Sequence, residues 1–251
     1  MLAKLELKLS YHENINRQMA SSFHGVLMDF LSQDYAAELH ASKLHPYAQH
    51  LEKRGEDWYW VIAALNEETV YKLLKSNLIN LNEFTLKKHN IDMQVLGKSY
   101  YELPDAKLAD AFYNGHASRY ITVQFITPTA FKQNGRYVNY PDVRAIFSNL
   151  MNRYDAVNAE ESMCDDDTLD QLVEKTTLSR YNLHSTVFCL EGVRIPAFLG
   201  QITLRIDGAQ TMANFANMLF QFGTYSGIGI KTSLGMGAIQ LIEGRSANNE
   251  R

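Results

Sequence analysis

The stretch Gly227-Ile-Gly-Ile-Lys-Thr-Ser-Leu-Gly-Met-Gly237 sets two Gly-apolar-Gly triplets around five residues that include one cation and two hydroxyls. Before it, Thr211 to Phe222 reads as an amphipathic helix, and after it Ala238-Ile-Gln-Leu-Ile242 reads as a short apolar strand. The loop therefore joins a helix to a final strand. Glycine lets such a loop turn with positive φ and lets its backbone come close to a ligand. Successive free N–H groups can then hold an anion, with Lys231 adding charge and Thr232 and Ser233 adding donors. Lys231, Ser233, Gly229 and Gly235 are the candidate phosphate-contacting residues. A tight connection with no ligand is the competing reading. The spacing fits neither a Walker loop nor a dinucleotide-binding turn.

Working outward from the loop, the second half of the chain reads as strand, helix, strand, strand, helix, strand. Arg119 to Ile126 is a strand that Thr127-Pro-Thr129 ends. Pro141 sits near the start of a helix to about Tyr154, with Val143, Ile146, Phe147, Leu150 and Met151 on its apolar face. Strands follow at about His184 to Leu190 and Gly200 to Ile206. The first half has the same grammar. Leu2 to Ser10 alternates as a half-buried strand, Asn16 to about Leu39 is a helix, and Pro46 breaks it. A strand near Pro46 to His50, one over Trp58 to Ala64, a helix over Glu67 to Leu78 and a strand over Asp92 to Tyr101 complete it. This is the ferredoxin-like order taken twice, an α+β fold of two tandem ferredoxin-like (RRM-like) domains. The polar stretch Asn114-Gly-His-Ala-Ser118 divides residues 1–113 from residues 119–251. A chain of 251 residues, 46% hydrophobic, can hold two modest cores.

Composition excludes several classes. No stretch approaches the roughly 18 apolar residues of a membrane helix, and the N-terminus lacks the apolar core of a signal peptide, so a cytoplasmic protein without a membrane partner is expected. Cys164 and Cys189 are too few for a disulfide framework or a thiolate metal site. The net charge of −4 does not advertise a nucleic-acid binder, but the acids are clustered. Eight lie between Asp155 and Glu174 with no Lys or Arg, which reads as a solvated loop. The remainder of residues 113–251 carries twelve Lys and Arg against five Asp and Glu, an excess of seven, so a basic surface can form there.

Histidine is the residue type suited to proton transfer near neutral pH. His40 and His45 lie in Leu39-His-Ala-Ser-Lys-Leu-His-Pro46, where the first helix gives way to a loop, and Lys43 stands between them. Such a group could cut RNA without metal: an imidazole takes the 2'-OH proton or gives one to the leaving 5'-oxygen, and a lysine offsets phosphorane charge. Two exposed histidines are the competing reading. His40, His45 and His50 are spaced by five, which does not give the i, i+4 face of a helical zinc pair, and no other metal or Ser/His/Asp motif is present.

Together, the glycine loop, Phe23-His-Gly25, Leu39-His40, Thr127-Pro-Thr-Ala-Phe131 and Arg194-Ile-Pro-Ala-Phe198 resemble the CRISPR repeat-processing endoribonucleases of the repeat-associated RNA-binding superfamily. The resemblance covers nearly the whole chain and looks most like the subfamily that serves type III effector complexes. It implies cleavage of CRISPR precursor RNA within its repeats by 2'-OH attack, leaving 2',3'-cyclic phosphate and 5'-OH ends, with no metal or cofactor. It implies His40 as the catalytic residue. Some members add a tyrosine in the first helix and a lysine after the histidine. Met28 stands at the tyrosine position here, and the lysine position falls near His45, with Lys43 the alternative. Lys132, Arg136 and Arg144 flank the Thr127-to-Pro141 connection that the family places near RNA, and they join the RNA-binding candidates. CRISPR repeat RNA is the implied partner and a type III effector complex the implied recipient of the product, while a homodimer is left open. A non-catalytic RNA-binding subunit of a CRISPR complex is the alternative, and His40 is what separates the two.

Overall fold

The computed structural model describes residues 1–41, 44–158 and 165–242, with the backbone alone at positions 40 and 41. In the first half, β1 (Leu2–Leu9), β2 (Tyr47–Arg54), β3 (Asp57–Ala64), β4 (Glu83–Leu86) and β5 (Ile91–Leu103) form a sheet in the order β2-β3-β1-β5-β4. Leu5 pairs with Ile62 on one side and Tyr100 on the other, both antiparallel. Leu5, Leu7 and Leu9 project to the face covered by α1 (Ala20–Asp29) and α2 (Gln33–Ala41) and join a core with Phe23, Leu27, Trp60 and Phe84. Phe23 stacks edge-on against both Trp60 and Phe84, contacts worth about 0.5–1.5 kcal/mol each beyond their burial.

The second half builds another antiparallel sheet from β6 (Tyr120–Thr129), β9 (Thr176–Leu190), β10 (Val193–Ile206) and β11 (Ile239–Ile242), in the order β11-β6-β10-β9. Helices α5 (Val143–Val157) and α7 (Gln210–Ser226) cover it through Phe147, Leu150, Phe220 and Phe222. Setting aside the extra edge strand β4, both sheets have the strand order of a ferredoxin-like fold, so the tandem architecture holds. A short hairpin, β7 (Phe131–Gln133) with β8 (Arg136–Val138), is inserted after β6.

Several elements differ from expectation. The helix expected over 16–39 is a 3₁₀ turn at Arg17–Met19 followed by α1 and α2, and Ser32 opens α2 by accepting from the Tyr35 N–H. The helix expected over 67–78 is one turn, α3 (Glu67–Thr69), running into a π turn at Val70–Lys75, where the Ser76 N–H reaches the Tyr71 carbonyl. Much of the expected acidic loop is α6 (Asp166–Glu174). Asp165 caps it by accepting from the Thr168 N–H, Asp166 and Asp167 sit where the helix dipole favours negative charge, and Leu169 and Leu172 are buried. The strands at 184–190 and 200–206 extend into one long hairpin. β6 runs through Thr129, which pairs with Phe198 of β10 across a register shift, and a proline such as Pro128 is tolerated at such an irregularity.

α4 (Asp105–Tyr113) was not expected. It packs on α7, with Phe112 against Phe215, so Leu103 and Leu108 from the first half enter the core of the second. The 114–118 connection is held as well: Asn214 donates to the Phe112 and Gly115 carbonyls and accepts from the Ala117 N–H. Among the described residues, no helix is long and apolar enough to cross a membrane.

Candidate functional site

The glycine-rich segment begins where α7 stops. It lies clasped between the two halves. On one side the Thr127-to-Phe131 strand end holds it: the Ile230 N–H donates to the Ala130 carbonyl, the Gly237 N–H to the Pro128 carbonyl, and Ala238 to Thr127 Oγ1. On the other side is Gln49 of β2, 1% exposed. Its Nε2 donates to the Ala20 carbonyl at 2.8 Å and the Ser233 carbonyl at 2.9 Å, while its Oε1 accepts from Trp60 Nε1. One buried amide thus ties the first sheet, the start of α1 and the loop together.

This geometry narrows the expectation of a loop lined with free N–H groups, since seven of them are spent inside the protein. The N–H groups of Gly227, Ile228, Ile230, Leu234, Met236 and Gly237 all donate within the protein, and that of Gly229 donates to Asn149 Oδ1 at 2.8 Å. The glycines are needed for packing. At Gly229, with φ +90°, a Cβ would lie 2.4 Å from the Ala130 carbonyl oxygen, and at Gly235, with φ +104°, it would lie 2.2 Å from the Ala20 Cβ. What the loop presents outward is Lys231, exposed and in the left-handed region at φ +59°. Ser233 is 6% exposed on the same short 3₁₀ turn, Thr232–Leu234.

A cleft of about 310 Å³ opens between the halves. Leu44 and His45 line one wall, Asn149 and Arg153 of α5 another, and Gly229 to Leu234 the third. The His45 ring stacks on Tyr47, centroids 5.4 Å apart, and Tyr47 in turn stacks on His24 and places its hydroxyl 3.2 Å from His24 Nδ1. Burial pushes the Tyr47 hydroxyl well above its ordinary pKa, so it stays neutral. Arg153 is 5% exposed, and its Nε and Nη2 have no hydrogen-bond partner. Burial alone pushes its guanidinium down to about 10.

A second cleft adjoins the first and shares Asn149, Gly229 and Ile230 with it; Lys132 and Arg144 are in its lining. Arg144 also pairs with Asp170 of α6 at 2.6 Å, so one acid of the acidic segment partly offsets it. Arg136 stands farther along the hairpin, in register with Gln133. His40 falls in the last turn of α2 and its side chain lies outside the described residues, as does all of Lys43. Five residue-to-residue steps of chain join positions 40 and 45, at most about 18 Å. Among the described residues no group of three or more His, Cys, Asp or Glu is placed to hold a metal ion. Cys189 is an exposed free thiol, and Cys164 lies outside the described residues. Sequence reasoning missed Gln49, Tyr47, Asn149 and Arg153. None sits in a motif, and only the arginine, at the helix end that precedes an acidic run, carried a signal.

Comparison with known proteins places these features in context. Residues 123–239 match the family model for CRISPR-associated endoribonuclease Cas6. The chain is 37% identical over 232 residues to the CRISPR-associated endoribonuclease Cas6 of Streptococcus thermophilus, covering 90% of this chain and 93% of that one. It is 34% identical to the Mycobacterium tuberculosis (strain CDC 1551 / Oshkosh) Cas6, covering 96% and 78%. Its fold is similar to that of a Cas6 product complex, with TM-score 0.79 and 24% identity over 96% and 99% of the two chains. It is also similar to Thermus thermophilus Cas6, with TM-score 0.70 and 18% identity over 96% and 98%.

Proposed function

The chain belongs to the CRISPR-associated endoribonuclease family Cas6, and from that premise we propose how its two halves divide the cleavage of repeat RNA between them. It is an endoribonuclease that processes CRISPR precursor RNA. In our reading residues 1–113 supply the proton-transfer groups and residues 119–251 hold the RNA backbone. The observation that carries this is the cleft in which His45 of the first half faces Lys231 and Ser233 of the second.

The nucleophile is the ribose 2'-OH beside the scissile phosphate. His40 acts as general base or acid, with His45 or Lys43 as the second group. The O2'–P bond forms as the 2'-proton leaves, and the P–O5' bond breaks as the 5'-oxygen is protonated. The products are a 2',3'-cyclic phosphate and a 5'-hydroxyl. Because the substrate brings its own nucleophile, no metal-bound hydroxide is needed. Two well-placed proton-transfer groups each contribute roughly 10²- to 10⁴-fold. The stack on Tyr47 fixes the plane of the His45 ring, which lowers the entropy lost on reaching a reactive geometry. Lys231 and Ser233 contact the phosphate backbone, Gly229 and Gly235 set the loop's shape, and Lys132 and Arg136 of the hairpin, with Arg144 at the start of α5, extend the track. A type III effector complex as recipient of the product, a homodimer and a cytoplasmic location belong to the same proposal.

The test uses labelled repeat RNA in excess chelator. Wild-type protein is expected to cut, an RNA with a single 2'-deoxy at the cut site to resist, and His40→Ala to bind but not cut. Cleavage that chelator abolishes would remove the metal-free mechanism. Normal cutting by His40→Ala would remove the assignment of that residue.

A further inference from the structure

Arg153 is the feature of the cleft that the cleavage chemistry above leaves unused. It projects from the fourth turn of α5 among Asn149, His45 and the loop residues Gly229 to Leu234, and it is buried to 95% of its surface with two guanidinium nitrogens unpartnered. A guanidinium remains charged at any physiological pH, and a buried charge is retained in proteins when something pairs with it. Its neighbours in the cleft are Asn149, an amide already engaged with Gly229; His45; the cation Lys231; and the hydroxyls of Thr232 and Ser233. Among the described residues no Asp or Glu lines this wall. The site is therefore a concave pocket with one buried cation, one exposed cation and several neutral donors, a set that suits a tetrahedral oxyanion.

We propose that Arg153 is a buried phosphate-binding residue that grips a backbone phosphate of the bound RNA from beneath, opposite Lys231, and so sets the depth at which the strand lies against His45. The inference rests on the reading of this cleft as the RNA site. Arginine's planar fork takes two oxygens of one phosphate, which fixes orientation as well as position, whereas Lys231 at the rim acts as a mobile point charge. A buried guanidinium that waits for its anion also costs the free protein stability, because removing an unpaired buried charge relieves a desolvation penalty.

The two consequences are opposite in sign and can be read in one pair of proteins. Arg153→Met keeps the length and apolar stem of the side chain. It is expected to melt at or above the wild-type temperature without RNA. It should bind repeat RNA blocked by a 2'-deoxy at the cut site at least tenfold more weakly, with the slope of log affinity against log salt shallower by about one. Affinity within twofold of wild type, or an unchanged salt slope, would overturn the proposal while leaving repeat cleavage by the wild type intact. If the wild type itself neither binds nor cuts repeat RNA, the functional reading fails, and inorganic pyrophosphate then decides the anion site. A rise in wild-type melting temperature absent from Arg153→Met keeps it, and no rise removes it.

Discussion

At the scale of single residues, Gly235 and Gln49 show that the loop is first a joint and second a binding surface. Gly235 has φ +104° and approaches Ala20 so closely that a methyl group would lie 2.2 Å from its Cβ. Gly235→Ala therefore combines backbone strain with overpacking, and a loss of about 3 kcal/mol is expected in urea unfolding. A loss below about 1 kcal/mol would mean that the two halves are not pressed together at this point. The glycines were legible in the sequence as a pattern, but the reason for them was not. A Gly-apolar-Gly triplet looks the same whether the missing Cβ makes room for a phosphate or for the helix of a neighbouring domain. Gln49 carried no signal at all. An isolated glutamine in a strand is ordinary until its amide is seen to bridge Ala20 and Ser233.

At the scale of elements, the alternation of β1 and the apolar faces of α5 and α7 were enough to predict where strands and helices fall, because a period of two or 3.6 residues is local information. The ends were less accessible. α6 was hidden in an acidic run because its stability comes from a cap, a dipole and two leucines meeting α5, and only the cap is local. β2 carries a polar network with its own pH signature. Burial would raise the pKa of Glu52, but the His50 ring 3.9 Å away and the Arg54 guanidinium, which donates to it at 2.8 Å, prevail and hold it down to about 2. Arg54 also clamps Glu6 of β1, joining strands that are not neighbours in the sheet. Since the folded carboxyl titrates below the unfolded one, its contribution to stability is complete above about pH 4.5 and is lost as pH falls toward 2. The urea midpoint of the wild type should thus fall more steeply between pH 5 and 2.5 than that of Glu52→Gln. Parallel curves would show that the network contributes nothing.

At the scale of the whole molecule, the two ferredoxin-like units are not independent. α4 comes from the first half but packs on α7, and the 114–118 connection is pinned by Asn214. Residues 119–251 expressed alone would expose the α7 surface that Leu108 and Phe112 cover, and they are expected to aggregate or melt well below residues 104–251, which retain α4. Equal solubility and melting temperature of the two fragments, compared by calorimetry, would contradict the role assigned to α4. The cleft that holds His45 arises at this scale too, since its walls come from both halves of the chain.

The sequence by itself determined the repeated order of strands and helices, the loop that joins α7 to β11, and, through shared motifs, the resemblance to repeat-processing endoribonucleases. Those are properties of spacing along the chain, where hydrophobic period and glycine placement act over a few residues. Only the tertiary structure decided that the loop spends most of its backbone donors on the protein, that Arg153 is sealed in beside it, and that His45 shares its cleft with Lys231. These depend on groups far apart in sequence, 80 residues for Gly229 and Asn149 and 184 for Gln49 and Ser233, being packed to within hydrogen-bond distance, and desolvation at such a junction cannot be read from neighbours in sequence.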